Sequence, residues 1–461
     1  MANDGSALTF RELKLRLPQW ALEAAFTALL LLVFVGLSPF SPPPQVAQFG
    51  GAMQSGAGDT LRQISYLGVF AVLALGAFQK RGLAALSVVP ALLAFLLAWA
   101  ALSALWAAAP GIAFRRAGLE IVLVLSVLLG VDAVGVERSL LIWRWLLAAV
   151  LVVNILSIPL IPDAVHGAHE QDPGLVGDWR GLYGHKNIAG AVTALTAILF
   201  LFPAIDPHTL RQASVQDEPA GALAKAGNSS WRDGIVVVLA LFFLFMTRSK
   251  SSLGLLPLAV FAGAIYRIGW RRGLDRMIVV VTAAVLAGAV IVFLLLDYAA
   301  LARLLEDPAE FTGRAAIWQA ELAYITDHPL LGSGFGTFSD TGGLSPLHDY
   351  VSNGDWVNAV SHGHSGYLQL FVTIGGIGFA LAFLSLIAAP LVAFWRLDAE
   401  RLALKAMLFA VYVFLVLHNV MESDFLEGDG STWVAFLLML AMLYETERTA
   451  RLERFAPCPA P

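Results

Sequence analysis

The chain has 461 residues, 58% of them hydrophobic and only 14% charged, with a mean hydropathy of +0.74. Soluble globular chains are about half apolar and about one-quarter charged, so the charge deficit excludes an ordinary water-soluble domain and points to an integral membrane protein. A formal net charge of -5 offers no basic surface of the kind nucleic acid requires, and the one cysteine, Cys458, excludes both a disulfide framework and a thiolate metal site.

In chain order, a basic stretch with Arg11, Lys14 and Arg16 precedes an apolar run over 20–39. No small-residue cleavage site follows it, so the run is expected to remain as a first helix rather than leave as a signal peptide. Further apolar segments lie at about 63–79, 84–106, 119–136, 141–161, 187–203, 234–247, 252–268, 277–297, 366–394, 406–421 and 431–446. The expected fold is all-α: a polytopic membrane helix bundle of about 12 transmembrane helices, each near the roughly 20 residues that span a bilayer core. Residues 1–297 would hold helices 1–9 with short outer loops, 298–365 a large helical outer loop, 366–447 helices 10–12, and 448–461 a tail.

An even helix count puts both termini on one side. With the termini inside, 20 of the 29 Lys and Arg fall on inner segments, which by the positive-inside rule makes that side cytoplasmic. Histidine is distributed the other way, with seven of nine in outer loops, so the ionisable chemistry faces outward. Within the long loop, Thr312 can cap a helix whose Ile317, Trp318, Leu322 and Ile325 form a packing stripe, with Pro329 as a stop. The inner stretch 204–232, rich in Ala, Gly and Ser, reads as a flexible connector. Neither an internal repeat nor mirrored halves is visible, which counts against a secondary transporter.

Four stretches carry chemistry. In Trp179-Arg180-Gly181-Leu182-Tyr183-Gly184-His185-Lys186-Asn187, two cations, a histidine and two glycines precede a helix N-terminus, a combination suited to an anion; contact with lipid headgroups is the alternative. Thr247-Arg248-Ser249-Lys250-Ser251-Ser252 is a hydroxyl-rich hinge whose cations near the membrane call for an anion or water. Arg115 and Arg116 form a third outer pair, with snorkelling to the interface as the alternative. The long loop supplies Thr312-Gly313-Arg314 and Ser361-His362-Gly363-His364-Ser365-Gly366-Tyr367. His362 and His364 lack the further ligands of a zinc site, and one histidine as a general base, neutral at pH 7, fits better than a metal pair; a structural histidine is the alternative. Gly332-Ser333-Gly334-Phe335-Gly336 has no preceding strand and reads as a flexible turn, not a nucleotide loop. Glu422, Asp424, Glu427 and Asp429 read as a solvated loop, with orientation of His418 by Glu422 and Asp424 as the alternative.

In this order, RGLYGHKN (180–187), TRSKSSLG (247–254), TGRAAIW (312–318), the Gly332-Ser333-Gly334 turn and HGHSGYLQLFVTIGGIG (362–378) resemble the O-antigen ligase and exopolysaccharide polymerase superfamily, from the Leu105-Trp106 region through Gly378. The resemblance implies a GT-C-like membrane glycosyltransferase of the bacterial inner membrane with a periplasmic active site. It would take a glycan from an undecaprenyl-diphosphate carrier and pass it to a second lipid-linked unit (polymerase) or to lipid A-core (ligase). Carried over by motif, the catalytic residues would be Arg180, Lys250, Arg314 and His364. Lys250 stands where ligases usually have arginine, and Ser365 where the family usually has asparagine; the GHKN form and the lysine hinge favour the polymerase branch. His185, Lys186, Asn187, Arg248, Arg115, Arg116, His362 and Tyr367 would hold the diphosphate and substrate, with no cofactor and no metal. The bilayer, the lipid-linked donor and the glycan or lipid A-core acceptor are the implied partners, and nucleic acid is not one. A lipid or sugar transporter is the more distant alternative.

Overall fold

The structure is a computed structural model that describes residues 17–40, 60–167, 173–206, 208–211, 230–271, 282, 314–351, 363, 365–396 and 401–455. Its main helices are α1 (Gln19–Phe34), α2 (Thr60–Arg81), α3 (Ala91–Leu102), α4 (Pro110–Val134), α5 (Val136–Ser157), α6 (Lys186–Ile205), α7 (Ser230–Thr247), α8 (Lys250–Arg271), α9 (Arg314–Asp327), α10 (Gly366–Arg396), α11 (Leu402–His418) and α12 (Ser431–Phe455). Among the described residues there is no strand, only an isolated bridge between Val165 and Trp179. Each apolar segment expected from hydropathy coincides with a helix except 277–297, which lies outside the described residues. Six helical stretches there are long and apolar enough to cross a membrane: Thr60–Val88, Pro110–Val134, Val136–Ser157, Lys186–Ile205, Lys250–Gly269 and Gly366–Arg396.

Prolines set the differences from the expected boundaries. Pro90 lacks an N–H and holds Val89 extended, so the expected 84–106 helix divides into a 3-10 turn and α3. Pro110 occupies the first turn of α4, so that helix begins nine residues earlier than its apolar run and carries Arg115 and Arg116 on its own opening turns. At the other end of the chain α12 continues to Phe455, so the expected tail begins as helix.

The centre of the bundle is made by α6, α11 and α12, whose Ala, Leu, Phe and Met side chains are buried nearly all round. Helix α7 packs along α6, α8 along α11, and α2 and α12 along α4. Exposed Phe95, Phe114, Phe245 and Phe261 lie on the outer helices, where hydrocarbon rather than water is the fitting solvent. A buried cation ties three helices together: Arg144 of α5 pairs with Asp233 Oδ1 of α7 at 3.0 Å. It also donates from Nε to the Leu199 carbonyl of α6 and lies 4.3 Å from the centre of the Phe200 ring. Each partner offsets part of the cost of keeping a guanidinium out of water.

Helix α10 is broken rather than continuous. Gly375 has φ of 68° and ψ of -177°, conformations open to glycine, and the Pro329–Gly334 turn lies against the break. The N–H groups of Ser333 and Gly334 donate to the carbonyls of Val372 and Thr373, and Gly376 N–H donates to the Pro329 carbonyl. Trp99 of α3 donates to the Ile374 carbonyl from the far side. Backbone groups freed by a break need such partners in a low-dielectric setting. The Gly332-Ser333-Gly334 turn, expected to be flexible, is thus docked.

Gly332 has a left-handed φ, and a Cβ there would come within 2.6 Å of Gly375 N and 2.7 Å of the Thr373 carbonyl. Gly332→Ala is expected to cost more than about 2 kcal/mol, read as a lower melting temperature of the purified protein. Gly343→Ala, at a glycine with open space around it, is the control expected to melt like the parent.

Candidate functional site

The site grows from the start of α6. His185 caps the helix, its Nδ1 accepting from Asn187 N–H at 3.2 Å, and Lys186 is the first helical residue. Lys186 N–H donates to His166 Nε2, and the His166 and His185 rings meet edge to face at 5.5 Å. Gly181 takes a left-handed φ where any Cβ would overlap the Asn154 side chain, whose Oδ1 accepts from Leu182 N–H. Arg180 is 2% exposed, and its guanidinium folds back to donate to the carbonyls of Tyr183 and Gly184. It therefore holds the shape of the loop that presents His185 and Lys186.

The α7–α8 hinge is brought against this loop. Asp178 is buried and accepts from both Lys186 Nζ and Arg248 Nη1, the latter at 3.3 Å. Trp179 N–H donates to the Met246 carbonyl. A Cβ on Gly190 would come within 2.6 Å of Ser249, so α6 approaches the hinge as closely as backbone allows. Arg248 itself has a left-handed φ of 50°, an uncommon conformation for its residue type, in a two-residue turn between helices. Thr247, Ser249 and Ser252 are buried and satisfy one another or the helix end. Lys250 opens α8, is exposed, and has no ion pair among the described residues.

A third junction lies on the loop between α11 and α12. Glu422 Oε1 accepts from Asn187 Nδ2 at 2.7 Å, while its backbone carbonyl and that of Asn419 accept from Gly366 N–H at the start of α10. Glu422 and Asp424 are buried rather than solvated. Of the pair, Asp424 holds His418, with Oδ2 at 2.7 Å from Nδ1, while Oδ1 accepts from Thr432. Glu422 instead links the α6 start to the α10 start. Tyr367 donates its hydroxyl to the Val416 carbonyl and packs its ring on Phe425. Arg116 donates to the Gly336 carbonyl and pairs with Asp340, whereas Arg115 has no ion pair among the described residues. His362 and His364 lie outside the described residues, as does the side chain of Arg314.

Helix α9 completes the arrangement. Trp318 Nε1 donates to the Gly363 carbonyl at 2.7 Å, and Gly363 N–H donates to Gln369 Oε1 at 3.1 Å. The buried face of α9 is Ile317, Ala320, Glu321 and Tyr324, rotated from the expected Ile317, Trp318, Leu322 and Ile325 stripe. Glu321 was not visible as a site residue in the sequence, because a lone glutamate on a polar-looking loop helix carries no motif. It is 0% exposed, both carboxyl oxygens lack hydrogen-bond partners, and burial pushes its pKa up to about 8.

The described residues therefore define a multi-pass membrane protein in which two helix starts, α6 and α8, present cations around one buried aspartate. The sequence profile of the family described as O-Antigen ligase matches residues 235–383, about a third of the chain. That segment spans the hinge, Arg314, the docked glycine turn and the HGHSG stretch, while the 180–187 stretch lies outside it. The match supports placing residues 235–383 with the O-antigen ligase superfamily. No curated protein matches the chain.

Two outcomes follow from the charges. Asp178→Asn leaves half-buried Lys186 without this counter-charge and is expected to lower stability by about 1 to 3 kcal/mol, whereas Asp340→Asn, at a more exposed pair, costs under about 1. Thermal unfolding of both variants checks this. Glu321 binds its proton more tightly folded than unfolded, so stability falls as pH rises from about 4.5 to about 8. Glu321→Gln is expected to flatten that part of the stability profile.

Proposed function

We propose that the protein is a metal-independent membrane glycosyltransferase that polymerises undecaprenyl-diphosphate-linked glycan units at the periplasmic face of the inner membrane, with inversion at the sugar. The observation that supports this reading is the surplus of cations at two adjoining helix starts. Asp178 is shared by Lys186 and Arg248, and Lys250 has no ion pair among the described residues. A doubly charged leaving group is the chemistry such a surplus suits.

In this mechanism the acceptor hydroxyl attacks the donor sugar at C1. The new C1–O bond forms from the face opposite the carrier, and the old C1–O bond breaks with its electron pair leaving on the diphosphate. Lys186, Arg248 and Lys250 stabilise the charge that develops there, with Arg314 and Arg115 contributing further cations. Arg180 acts from within the loop, by fixing the backbone that carries His185, Lys186 and Asn187. The acceptor's proton passes to His364 as general base. His362 and Tyr367 flank that base in sequence, and Arg116 braces the docked glycine loop against α4.

Purified protein supplied with lipid-linked repeat units is expected to yield longer glycans and free undecaprenyl diphosphate. His364→Ala should abolish product, and Lys250→Ala or Arg314→Ala should lower the rate by about a hundredfold, the usual cost of losing one transition-state donor. Chelation of divalent ions should leave the rate unchanged. Wild-type yield from folded His364→Ala protein would overturn the reading.

The description of the matched profile favours a second reading, transfer of the finished glycan to lipid A-core. Gel analysis of a deletion strain separates the two. Loss of exopolysaccharide with intact lipopolysaccharide supports the polymerase, and unmodified lipid A-core with lipid-linked glycan accumulating supports the ligase.

A further inference from the structure

At the end of α12 away from the helix starts of α6 and α8, a cavity of about 250 Å³ lies between the 3-10 turn Gly82–Val88, α4 and α12. Glu445 on its wall is about 21 Å along the helix axis from Ser431, where α12 leaves the α11–α12 loop. The volume is far above the roughly 15 Å³ that one water needs, and Val88, Pro90, Leu128 and Ala441 give the cavity an apolar side. Exposed tryptophans mark this end of the bundle as the level of a bilayer interface. Trp395 is next to Arg396, which pairs with Glu447 of the cavity wall at 3.9 Å, and Trp20 stands at the start of α1, where Leu17 N–H donates to Gln79 beside Lys80.

Three residues of the lining carry buried polar atoms with no hydrogen-bond partner among the described residues. The Asp132 side chain, 1% exposed, takes Arg81 and Arg448 on Oδ1 at 2.9 and 2.8 Å and leaves Oδ2 bare. Arg448 commits Nη2 to Asp132 and Glu445, leaving Nε and Nη1 bare, and the Tyr444 hydroxyl is bare as well. Lys80 Nζ donates to the Asp132 backbone carbonyl at 3.0 Å, and Arg81 stands 3.6 Å from Glu445, so neither cation completes the set. Folded proteins leave few such groups, and several on the walls of one cavity point to an occupant that supplies the missing partners.

The chemistry of the bare atoms defines that occupant. Arg448 and Tyr444 call for acceptor oxygens, and a guanidinium with two uncommitted nitrogens suits a phosphate. Asp132 calls for a donor. Asp132, Glu445 and Glu447 line the cavity against Arg448 alone, so a cationic donor is favoured over a neutral hydroxyl. We propose that this cavity binds the aminoethyl phosphate headgroup of a phospholipid, its phosphate on Arg448 and Tyr444 and its primary ammonium on Asp132 and the flanking glutamates. Exposed Leu83 and Leu86 on the 3-10 turn offer apolar surface to the acyl chains. A quaternary ammonium lacks the N–H donor that Asp132 needs, and a glycerol headgroup lacks the cation. The site is independent of the glycosyl-transfer chemistry at the other end of the bundle.

Native mass spectrometry of the full-length protein tests this, by titration with phosphatidylethanolamine, phosphatidylcholine and phosphatidylglycerol of identical acyl chains. Phosphatidylethanolamine is expected to fill one saturable site at least about tenfold more tightly than either other lipid. Tyr444→Phe, which removes the hydroxyl and keeps the ring, should weaken that binding by about threefold to tenfold. Ala441→Leu narrows the cavity without touching a charge, and should bring phosphatidylethanolamine down to the level of phosphatidylcholine. Water-soluble glycerophosphoethanolamine separates the two sources of the headgroup: weak or absent competition places the ligand in the bilayer, whereas competition at equal affinity assigns the site to a soluble ester and overturns the lipid. Equal affinity for the three lipids overturns the proposal, as does tighter binding of phosphatidylglycerol. Phosphatidylethanolamine binding at parental strength in both Tyr444→Phe and Ala441→Leu also overturns it, and Tyr444→Phe alone decides the matter if Ala441→Leu fails to fold.

Discussion

Asp178 is 1% exposed, in the loop that leads into α6, and both Lys186 and Arg248 reach it. A cation held near the membrane needs an opposite charge or an anionic ligand, because desolvation there costs several kcal/mol. One carboxylate serves two cations, and so ties the loop before α6 to the α7–α8 hinge. Around this tie Gly190 lets α6 close on Ser249, Arg248 takes a left-handed turn, and Lys250 at the start of α8 has no ion pair among the described residues. Asp178 thus takes up two of the cations at these helix starts, and Glu422 meets the α6 start through Asn187 rather than through a cation.

Glu422 plays the matching part for the second half of the chain. It joins Asn187 at the start of α6 to Gly366 at the start of α10, the residue two places after His364. Trp318 and Gln369 then fix Gly363 from both sides. Stretches separated by nearly two hundred residues thereby share one network, and the broken α10, with the Pro329–Gly334 turn docked at Gly375, supplies the rigid base beneath it. Glycine is required there for space and for φ, which explains the density of glycines between 332 and 336 better than flexibility does.

Hydropathy located the apolar helices among the described residues, because burial in a bilayer leaves an uninterrupted apolar signature that composition records directly. The cations were legible for a related reason: on a chain with so few charges, Arg180, Lys186, Arg248 and Lys250 stand out against their surroundings. The carboxylates were not. Asp178, Glu321 and Glu422 acquire meaning only through partners far along the chain, and nothing in their immediate sequence separates them from solvated loop acids. Arg180 illustrates the limit from the other side, since its motif was visible but its burial against the Tyr183 and Gly184 carbonyls was not. The α9 stripe was misplaced by one position because Glu321 looked like a surface residue.

The most direct test of the central claim, that the two helix starts form a diphosphate site, is binding of undecaprenyl diphosphate to the purified protein in nanodiscs. The account predicts saturable binding that weakens at least about tenfold in Lys250→Ala, an exposed cation whose loss disturbs no ion pair among the described residues, and that declines with added salt. Equal affinity of the parent and Lys250→Ala for this lipid, or no saturable binding by the parent, would contradict it.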